Sequence, residues 1–236
     1  MKLSIIIPIH NEEKTLEKVV LGVSEVFRDV DHEIVLVDDG STDNTDKILQ
    51  NLTRPSATLS LSRRGARGEV IVITHAKNQG KGRAIINALK KASGDLVAIQ
   101  DADLEYEPRN LHELYKIARE KNRVVYGKRN GESGYLANRL GNKIISWTCS
   151  TLFGVKLYDI YTCYKVMPRE LAQSLDLQSN AFEIESEITA KILKRKIDIL
   201  EIPIPYTPRT MAEGKHIRLK DGLRGIWMLI KIKFLM

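Results

Sequence analysis

Val97-Ala98-Ile99-Gln100-Asp101-Ala102-Asp103-Leu104-Glu105 is the stretch around which the rest of this chain is organised. The apolar residues before Asp101 favour a strand, and a carboxylate then recurs at every second position. Since alternate side chains of an extended chain point the same way, Asp101, Asp103 and Glu105 are predicted to line one wall. Three hard oxygen ligands at the carboxyl end of a strand suit Mg²⁺ or Mn²⁺. The alternative is a plain acidic turn, because Asp is frequent in turns.

The residues before this stretch repeat one pattern, a short apolar run followed by a polar turn and a helical periodicity. The predicted strands comprise residues 3–9, 33–37, 70–74, 95–100 and 123–126. Successive strand–helix units predict an α/β fold with a doubly wound, mostly parallel sheet that binds ligands at the carboxyl ends of its strands. After residue 129 the alternation ends, which indicates a second half that is built differently.

Length and composition limit the classes of function. A chain of 236 residues predicts one large domain, or one domain with a smaller appendage. The formal net charge of +7 favours anionic partners: nucleic acid, an acidic membrane surface or phosphate-bearing substrates. No RNP, KH or helix-turn-helix pattern is present, which argues against nucleic acid. Cys149 and Cys163 lack C-x-x-C spacing, so neither a zinc site nor a disulfide framework is predicted.

Three basic segments are candidates for binding anions. The loop 53–69 carries four arginines and either contacts anionic lipid or is a solvated insertion. The turn 77–82 is rich in Gly and Lys at a predicted helix start, where phosphate can bind, but it lacks Walker A spacing. Residues 218–236 form a basic amphipathic helix that either lies in a membrane interface or docks on its own domain. No stretch approaches the ~20 apolar residues of a membrane span, so we expect a soluble or peripheral protein.

Four ordered motifs carry a family resemblance. They are Pro8-x-x-Asn11-Glu12, Asp38-Asp39-Gly40-Ser41-x-Asp43, Asn78-x-Gly80-Lys81-Gly82 and Asp101-Ala102-Asp103. In this order they resemble family 2 glycosyltransferases with the GT-A fold, and within them polyprenyl-phosphate sugar transferases of the dolichol-phosphate mannose synthase type. The resemblance implies a GT-A domain over residues 1–215, divided into a nucleotide-sugar half (1–129) and an acceptor half (130–215). Residues 216–236 would form the basic C-terminal helix.

The resemblance also implies roles for individual residues. Those matching positions that hold the base and ribose of a sugar nucleotide are Pro8, His10, Glu12, Val37 and Asp39. Those matching the D-x-D motif, which holds the metal and the diphosphate, are Asp101, Ala102 and Asp103, with Glu105 as a further metal ligand. The remaining basic positions are Lys165, Arg209 and Lys215 for the nucleotide sugar, and Arg129 and Arg139 for the acceptor phosphate. Two departures stand out: an aromatic residue is commoner at His10, and Thr162-Cys163-Tyr164-Lys165 replaces S-G-F-R.

The implied reaction moves a hexose of the mannose or glucose type from a GDP- or UDP-sugar to dolichyl or undecaprenyl phosphate, with inversion and with Mg²⁺ or Mn²⁺. A lipid phosphate is already anionic, so no strong base is needed. The alternative is a family 2 transferase acting on a glycan or a small hydroxyl compound; that reaction needs a carboxylate base, for which Glu185 or a neighbouring residue is the candidate. The expected surroundings are the cytoplasmic face of a membrane, to which the protein binds peripherally, with a membrane-anchoring subunit as a further partner.

Overall fold

The computed structural model describes residues 1–53, 68–130, 136–209 and 219–236. The predicted basic loop falls almost entirely on residues 54–67, and Lys215 also lies outside the described residues. In chain order the elements are β1 (Leu3–Ile9), α1 (Leu16–Val26), β2 (His32–Asp38), α2 (Thr45–Thr53), β3 (Glu69–Thr74), α3 (Lys81–Leu89), β4 (Leu96–Ile99), α4 (Pro108–Lys121), β5 (Val124–Arg129), α5 (Leu136–Phe153), β6 (Lys165–Pro168), α6 (Arg169–Ser174), α7 (Ile184–Lys194), β7 (Ile199–Ile204) and α8 (Leu219–Phe234).

The strands of the described chain form one seven-stranded sheet in the order β3-β2-β1-β4-β6-β5-β7. All neighbouring pairs are parallel except those of β6, which runs antiparallel to both β4 and β5. The predicted doubly wound, mostly parallel sheet is therefore confirmed. Because β2 and β4 flank β1 on opposite sides, the carboxyl ends of these three strands open on one crevice, the usual ligand position in such sheets.

The predicted geometry of the acidic stretch is wrong. Strand β4 ends at Ile99, and residues 101–106 form turns in which Leu104 has φ 61°. Alternation of side chains holds only for an extended chain, so Asp101, Asp103 and Glu105 do not share one wall as strand neighbours. Their positions are instead set by contacts with distant residues.

Two apolar clusters hold the fold together. The larger surrounds the sheet, where β1, β2 and β4 are buried on both faces, as the apolar runs within them predict. The smaller lies between α5, α7 and α8 and includes Ile145, Cys149, Leu229 and Ile232. One face of α8 is thus docked on its own domain, which was one of its two predicted interpretations.

Glu33 connects the amino-terminal ends of neighbouring strands through hydrogen bonds. Its buried carboxylate accepts hydrogen bonds from Ser4 Oγ (2.6 Å), the Ser93 backbone N–H (2.7 Å) and Ser93 Oγ (2.6 Å), and it pairs with Lys2 Nζ at 2.6 Å. Burial by itself raises the pKa of Glu33, but the hydrogen bonds outweigh it and lower the pKa to about 2. The charged form is therefore favoured in the folded protein.

Glu33→Gln should remove an acid-sensitive part of the stability. Since the folded pKa lies below the unfolded one, this carboxylate contributes roughly 3 kcal/mol that is present above about pH 5 and lost as the pH falls towards 2. We expect the variant to unfold more easily at pH 7 and to show a flatter acid limb in urea titrations between pH 6 and 2. Glu120→Gln, at an exposed position of α4, is the control; equal pH profiles for Glu33→Gln and the wild type would contradict the prediction.

Candidate active site

A cavity of about 560 Å³ opens at the carboxyl ends of the first three strands. Its lining residues come from the ends of these strands, the turns that follow them and the first turn of α2: His10, Asp38, Gly40, Ser41, Thr42, Asp46, Thr74, His75, Ala76, Lys77 and Asn78. Of the residues predicted to hold a nucleoside, only His10 lines the cavity. Val37 is fully buried within β2, and Pro8 lies inside β1; these two shape the strands and do not line the cavity.

Asp39 organises one wall of this cavity. Its Oδ1 accepts hydrogen bonds from His75 Nδ1 (2.7 Å) and the Gln79 backbone N–H (2.8 Å), and its Oδ2 accepts one from the Gly80 N–H (2.6 Å). Asn87 Nδ2 lies 2.9 Å from the other ring nitrogen of His75. Asp39 therefore holds the glycine turn in front of α3, and its predicted contact with ribose would add to this structural role.

Two glycines permit the close approach of these turns. Gly40 has φ +66°, and a Cβ there would lie 2.4 Å from the backbone carbon of Lys77. Gly80 has φ +98°, and a Cβ there would lie 2.3 Å from the carbonyl oxygen of Asn180. A side chain at either position would clash with the backbone, which explains the glycines of two motifs.

Beside the cavity, carboxylates and cations converge around the turn that follows β4. Lys81 Nζ lies 2.9 Å from Asp101 Oδ1, and Arg209 Nη2 lies 3.2 Å from Asp103 Oδ2. Ala102, between the two aspartates, is buried. Burial, together with the negative charges of Asp101 and Glu105, raises the pKa of Asp103 to about 7 despite the opposing charge of Arg209.

Arg209 bridges two carboxylates that are far apart in the sequence. Its guanidinium donates to Glu12 Oε1 (2.8 Å) and Oε2 (3.1 Å) while also contacting Asp103. Glu105 holds the same segment, because its carboxylate accepts hydrogen bonds from Tyr206 Oη (2.7 Å) and the Arg209 N–H (2.7 Å). Glu105 was predicted as a metal ligand; its position here fastens residues 206–209 over the acidic turn.

Arg129 lies at the end of β5 and pairs with Asp159. Asp159 is not among the site residues predicted from the sequence. Arg129 Nε and Nη2 donate to the two carboxylate oxygens at 2.7 and 2.6 Å. The guanidinium also lies 5.1 Å from the ring centre of Tyr206. Since Tyr206 binds Glu105, Arg129 stands next to the acidic turn. Arg139 is half-buried in the first turns of α5.

Lys165 is completely buried (0 % exposed) and pairs with Glu185, itself 3 % exposed. This burial argues against the predicted direct contact of Lys165 with the nucleotide sugar. The other oxygen of Glu185 lies 3.1 Å from Lys81 Nζ. Lys81 is thus a site residue that was not predicted individually. The only signal for it in the sequence is the turn Asn78–Gly82, which was predicted to bind phosphate.

The chain matches known proteins over most of its length. Residues 4–174 match the family described as Glycosyl transferase family 2. This chain belongs to that family. Family 2 members similar to it include the dolichol-phosphate mannosyltransferase of Pyrococcus furiosus, 28% identical over 98% of this chain. Another is the UDP-N-acetylglucosamine–dolichyl-phosphate N-acetylglucosaminyltransferase of Methanococcus voltae, 29% identical over 97% of this chain and 95% of the relative.

This family 2 chain spans 64% of the length of the Pyrococcus relative. Among solved structures, it superposes with a TM-score of 0.70 on glucosyl-3-phosphoglycerate synthase from Mycobacterium tuberculosis in complex with Mn²⁺, uridine diphosphate and phosphoglyceric acid. That comparison covers 100% of this chain and 79% of the other at 18% identity, so it identifies the fold alone. The fold is GT-A, as predicted.

The donor set of the acidic turn fits a divalent metal. Asp101 and Asp103 offer oxygen ligands. Burial and the charge of Asp101 disfavour the charged form of Asp103, and a bound cation would favour it. Within the described ranges, no group of three His, Cys, Asp or Glu side chains is already arranged as a metal site. In this structure the cations of Lys81 and Arg209 stand at the two aspartates, so a metal would have to share them or displace Arg209.

Proposed function

We propose that this protein transfers a hexose from a GDP- or UDP-sugar to a polyprenyl phosphate, with Mg²⁺ or Mn²⁺ at Asp101 and Asp103. The observation that carries the proposal is the convergence of these half-buried aspartates with Lys81, Arg209 and, through Tyr206, Arg129 beside the cavity of the first three strands. The cavity has room for a nucleoside, and Arg129 supplies a planar guanidinium fork suited to a phosphate. The acceptors named for the relatives support the same substrate class.

In the proposed reaction, a phosphate oxygen of the acceptor bonds to C1 of the sugar while the bond from C1 to the nucleoside diphosphate breaks, with inversion. The metal, when bound, neutralises charge on the leaving diphosphate. Lys81 and Arg209 add positive charge on the same side. Arg129 and Arg139 orient the acceptor phosphate, and Arg129 would exchange one bond to Asp159 for the phosphate.

The pairing of Glu185 favours a phosphate acceptor over a hydroxyl acceptor. A hydroxyl group must lose its proton, which requires a base with a free carboxylate oxygen. Both oxygens of Glu185 lie against lysine ammonium groups, those of Lys81 and Lys165. An anionic phosphate needs no such base, so the arrangement suits an acceptor that arrives already charged.

A donor and acceptor panel tests the proposal. Radiolabelled GDP- and UDP-hexoses are incubated with a short-chain polyprenyl phosphate, with Mn²⁺ and with EDTA, and the matching polyprenyl alcohol replaces the phosphate as control. We expect label in the lipid phase with one nucleotide class, with the phosphate only, and only with metal. Transfer to the alcohol, or undiminished transfer in EDTA, would refute the proposal.

The packed helices α5 and α8 each leave an apolar face exposed, which supports docking on a membrane surface. On α5 the exposed residues at helical spacing are Leu140, Ile144 and Trp147; on α8 they are Leu223, Trp227 and Phe234. Lys143, Arg224 and Lys233 are exposed on the same helices, as expected for binding to anionic headgroups. Among the described helices, none is long and apolar enough to cross a bilayer.

Tryptophan emission should report this docking directly, because the two tryptophans of the sequence, Trp147 (68 % exposed) and Trp227 (58 % exposed), lie on these faces. We expect a blue shift with anionic vesicles that weakens at high salt. Leu223→Ser/Phe234→Ser keeps both reporters and should weaken vesicle binding about tenfold or more, while transfer to a water-soluble short-chain acceptor is retained. Unchanged vesicle binding would contradict the assignment of α8.

A further inference from the structure

Four side chains of alternating charge form a row that runs inward from the acidic turn, here called the interior charge row: Asp101, Lys81, Glu185 and Lys165. Asp101 and Lys81 are half-buried, and Glu185 and Lys165 are buried. Lys81 Nζ lies 2.9 Å from Asp101 Oδ1 and 3.1 Å from Asp101 Oδ2, and it also lies 3.1 Å from Glu185 Oε1, so both carboxylates attract its ammonium. Lys165 pairs with Glu185 Oε2 at the inner end. The row therefore connects the strand β6 and helix α7 to the turn after β4.

The lysine at the inner end of the row has more contacts with its surroundings than the pair between Lys81 and Glu185. The Lys165 ammonium also donates to the Thr162 carbonyl and lies 4.9 Å from the centre of the Tyr126 ring. By contrast, Glu185 Oε1 accepts no hydrogen bond among the described residues, although it faces Lys81. Lys81 is consequently hydrogen-bonded to Asp101 and attracted by Glu185 through charge alone.

Such a row is an expensive way to stabilise a fold. Removing charges from water costs several kcal/mol per ion, and apolar residues of similar volume often replace buried ion pairs without loss of stability. Because this row ends at Asp101, a predicted metal ligand, it affects the negative charge that Asp101 offers to a metal. The more strongly Glu185 attracts Lys81, the less of its positive charge remains on Asp101, and the more negative Asp101 is towards a cation.

We infer that Lys165 is a positioning residue: by neutralising part of Glu185, it limits how far Glu185 draws Lys81 away from Asp101 and so sets the charge that Asp101 presents to the metal and diphosphate. The inference rests on the proposed function, because it assumes that Asp101 faces a metal–nucleotide complex. Lys165 itself touches neither the metal nor the substrate. Its effect passes through Glu185 and Lys81.

The test is the sign of the change in metal–nucleotide affinity, measured by isothermal titration of Mn²⁺ with GDP or UDP. In Lys165→Met, Glu185 loses one counter-ion and draws Lys81 towards itself, so we expect binding to tighten about threefold or more. In Glu185→Gln, Lys81 pairs with Asp101 alone and competes with Mn²⁺, so we expect binding to weaken by at least about threefold. Changes of the same sign, or no change, would overturn the inference.

The control is Lys191→Met, which breaks another Lys–Glu pair on α7, to Glu187 at 2.8 Å, with no link to Asp101; its affinity should equal that of the wild type. If Lys165→Met does not fold, Lys165→Met/Glu185→Gln removes both charges. This double variant lacks the Glu185 carboxylate through which Lys165 acts, so its affinity for Mn²⁺ and nucleotide should equal that of Glu185→Gln. A different affinity would overturn the inference. Lack of any Mn²⁺-dependent nucleotide binding by the wild type would instead refute the proposed function.

Discussion

Asp103→Asn should lower the rate of sugar transfer by about a thousandfold or more while leaving the protein at least as stable as the wild type. The proposed metal loses a charged ligand, and with it the neutralisation of the leaving diphosphate, for which electrostatic contributions of about 3–4 kcal/mol per group are usual. Stability should respond in the opposite direction, since Asp103 is buried near two other carboxylates, Asp101 and Glu105. Removing its charge relieves that repulsion.

The measurements are initial rates of transfer with Mn²⁺ and the midpoint of thermal unfolding. An increase in unfolding temperature of a few degrees corresponds to about 1 kcal/mol in a chain of this size. Glu107→Gln, four residues further along at an exposed position, serves as the matched control and should change neither quantity. If Asp103→Asn retained more than about a tenth of the wild-type rate, the acidic turn would not be the metal site.

Arg129→Met should destabilise the protein and abolish transfer together. The Arg129–Asp159 pair is largely buried, with its hydrogen bonds at 2.6 and 2.7 Å. Removing one partner of a buried pair costs about 3–5 kcal/mol, because the other charge is left uncompensated. At 2–4 °C per kcal/mol, roughly, the unfolding temperature should fall by about 10 °C. Arg123→Met breaks the exposed pair with Asp198 and should have little effect.

The double variant Arg129→Met/Asp159→Asn separates stability from function. With both charges removed, most of the lost stability should return, since no buried carboxylate remains uncompensated. Transfer to polyprenyl phosphate should stay abolished, whereas binding of Mn²⁺ with nucleotide should persist, because Arg129 is assigned to the acceptor. Recovery of transfer along with stability would show that Arg129 is purely structural.

Prediction from the sequence succeeded where local signals are strong. The apolar runs of β1 to β4 and the glycines at 40 and 80 follow from short-range preferences, so strands, turns and the parallel sheet could all be anticipated. It failed at β6, a strand of four residues that carries a lysine in a fully buried position. No periodicity can be recognised over so few residues, and a buried lysine resembles a surface residue until its partner is known.

The acidic turn shows the same limit within the site. The sequence identified Asp101 and Asp103 as the chemical centre, but the alternation argument assumed that the chain stays extended after β4. Strand β4 ends at Ile99, a turn follows at residues 102–103, and Leu104 has a positive φ, so the chain is not extended there. Glu105 consequently turns to Tyr206 and Arg209, residues that are 101 and 104 positions away.

The sequence alone determined the class of sheet, the location of the chemistry at the carboxyl ends of its strands and the family to which the chain belongs. Only the tertiary structure decided which charges meet: Arg209 with Glu12, 197 residues apart, Arg129 with Asp159, and Lys81 between Asp101 and Glu185. The reason is physical. Strand and turn formation depends on neighbours a few residues away, whereas ion pairing depends on strand order and on burial, which the chain acquires only when it folds.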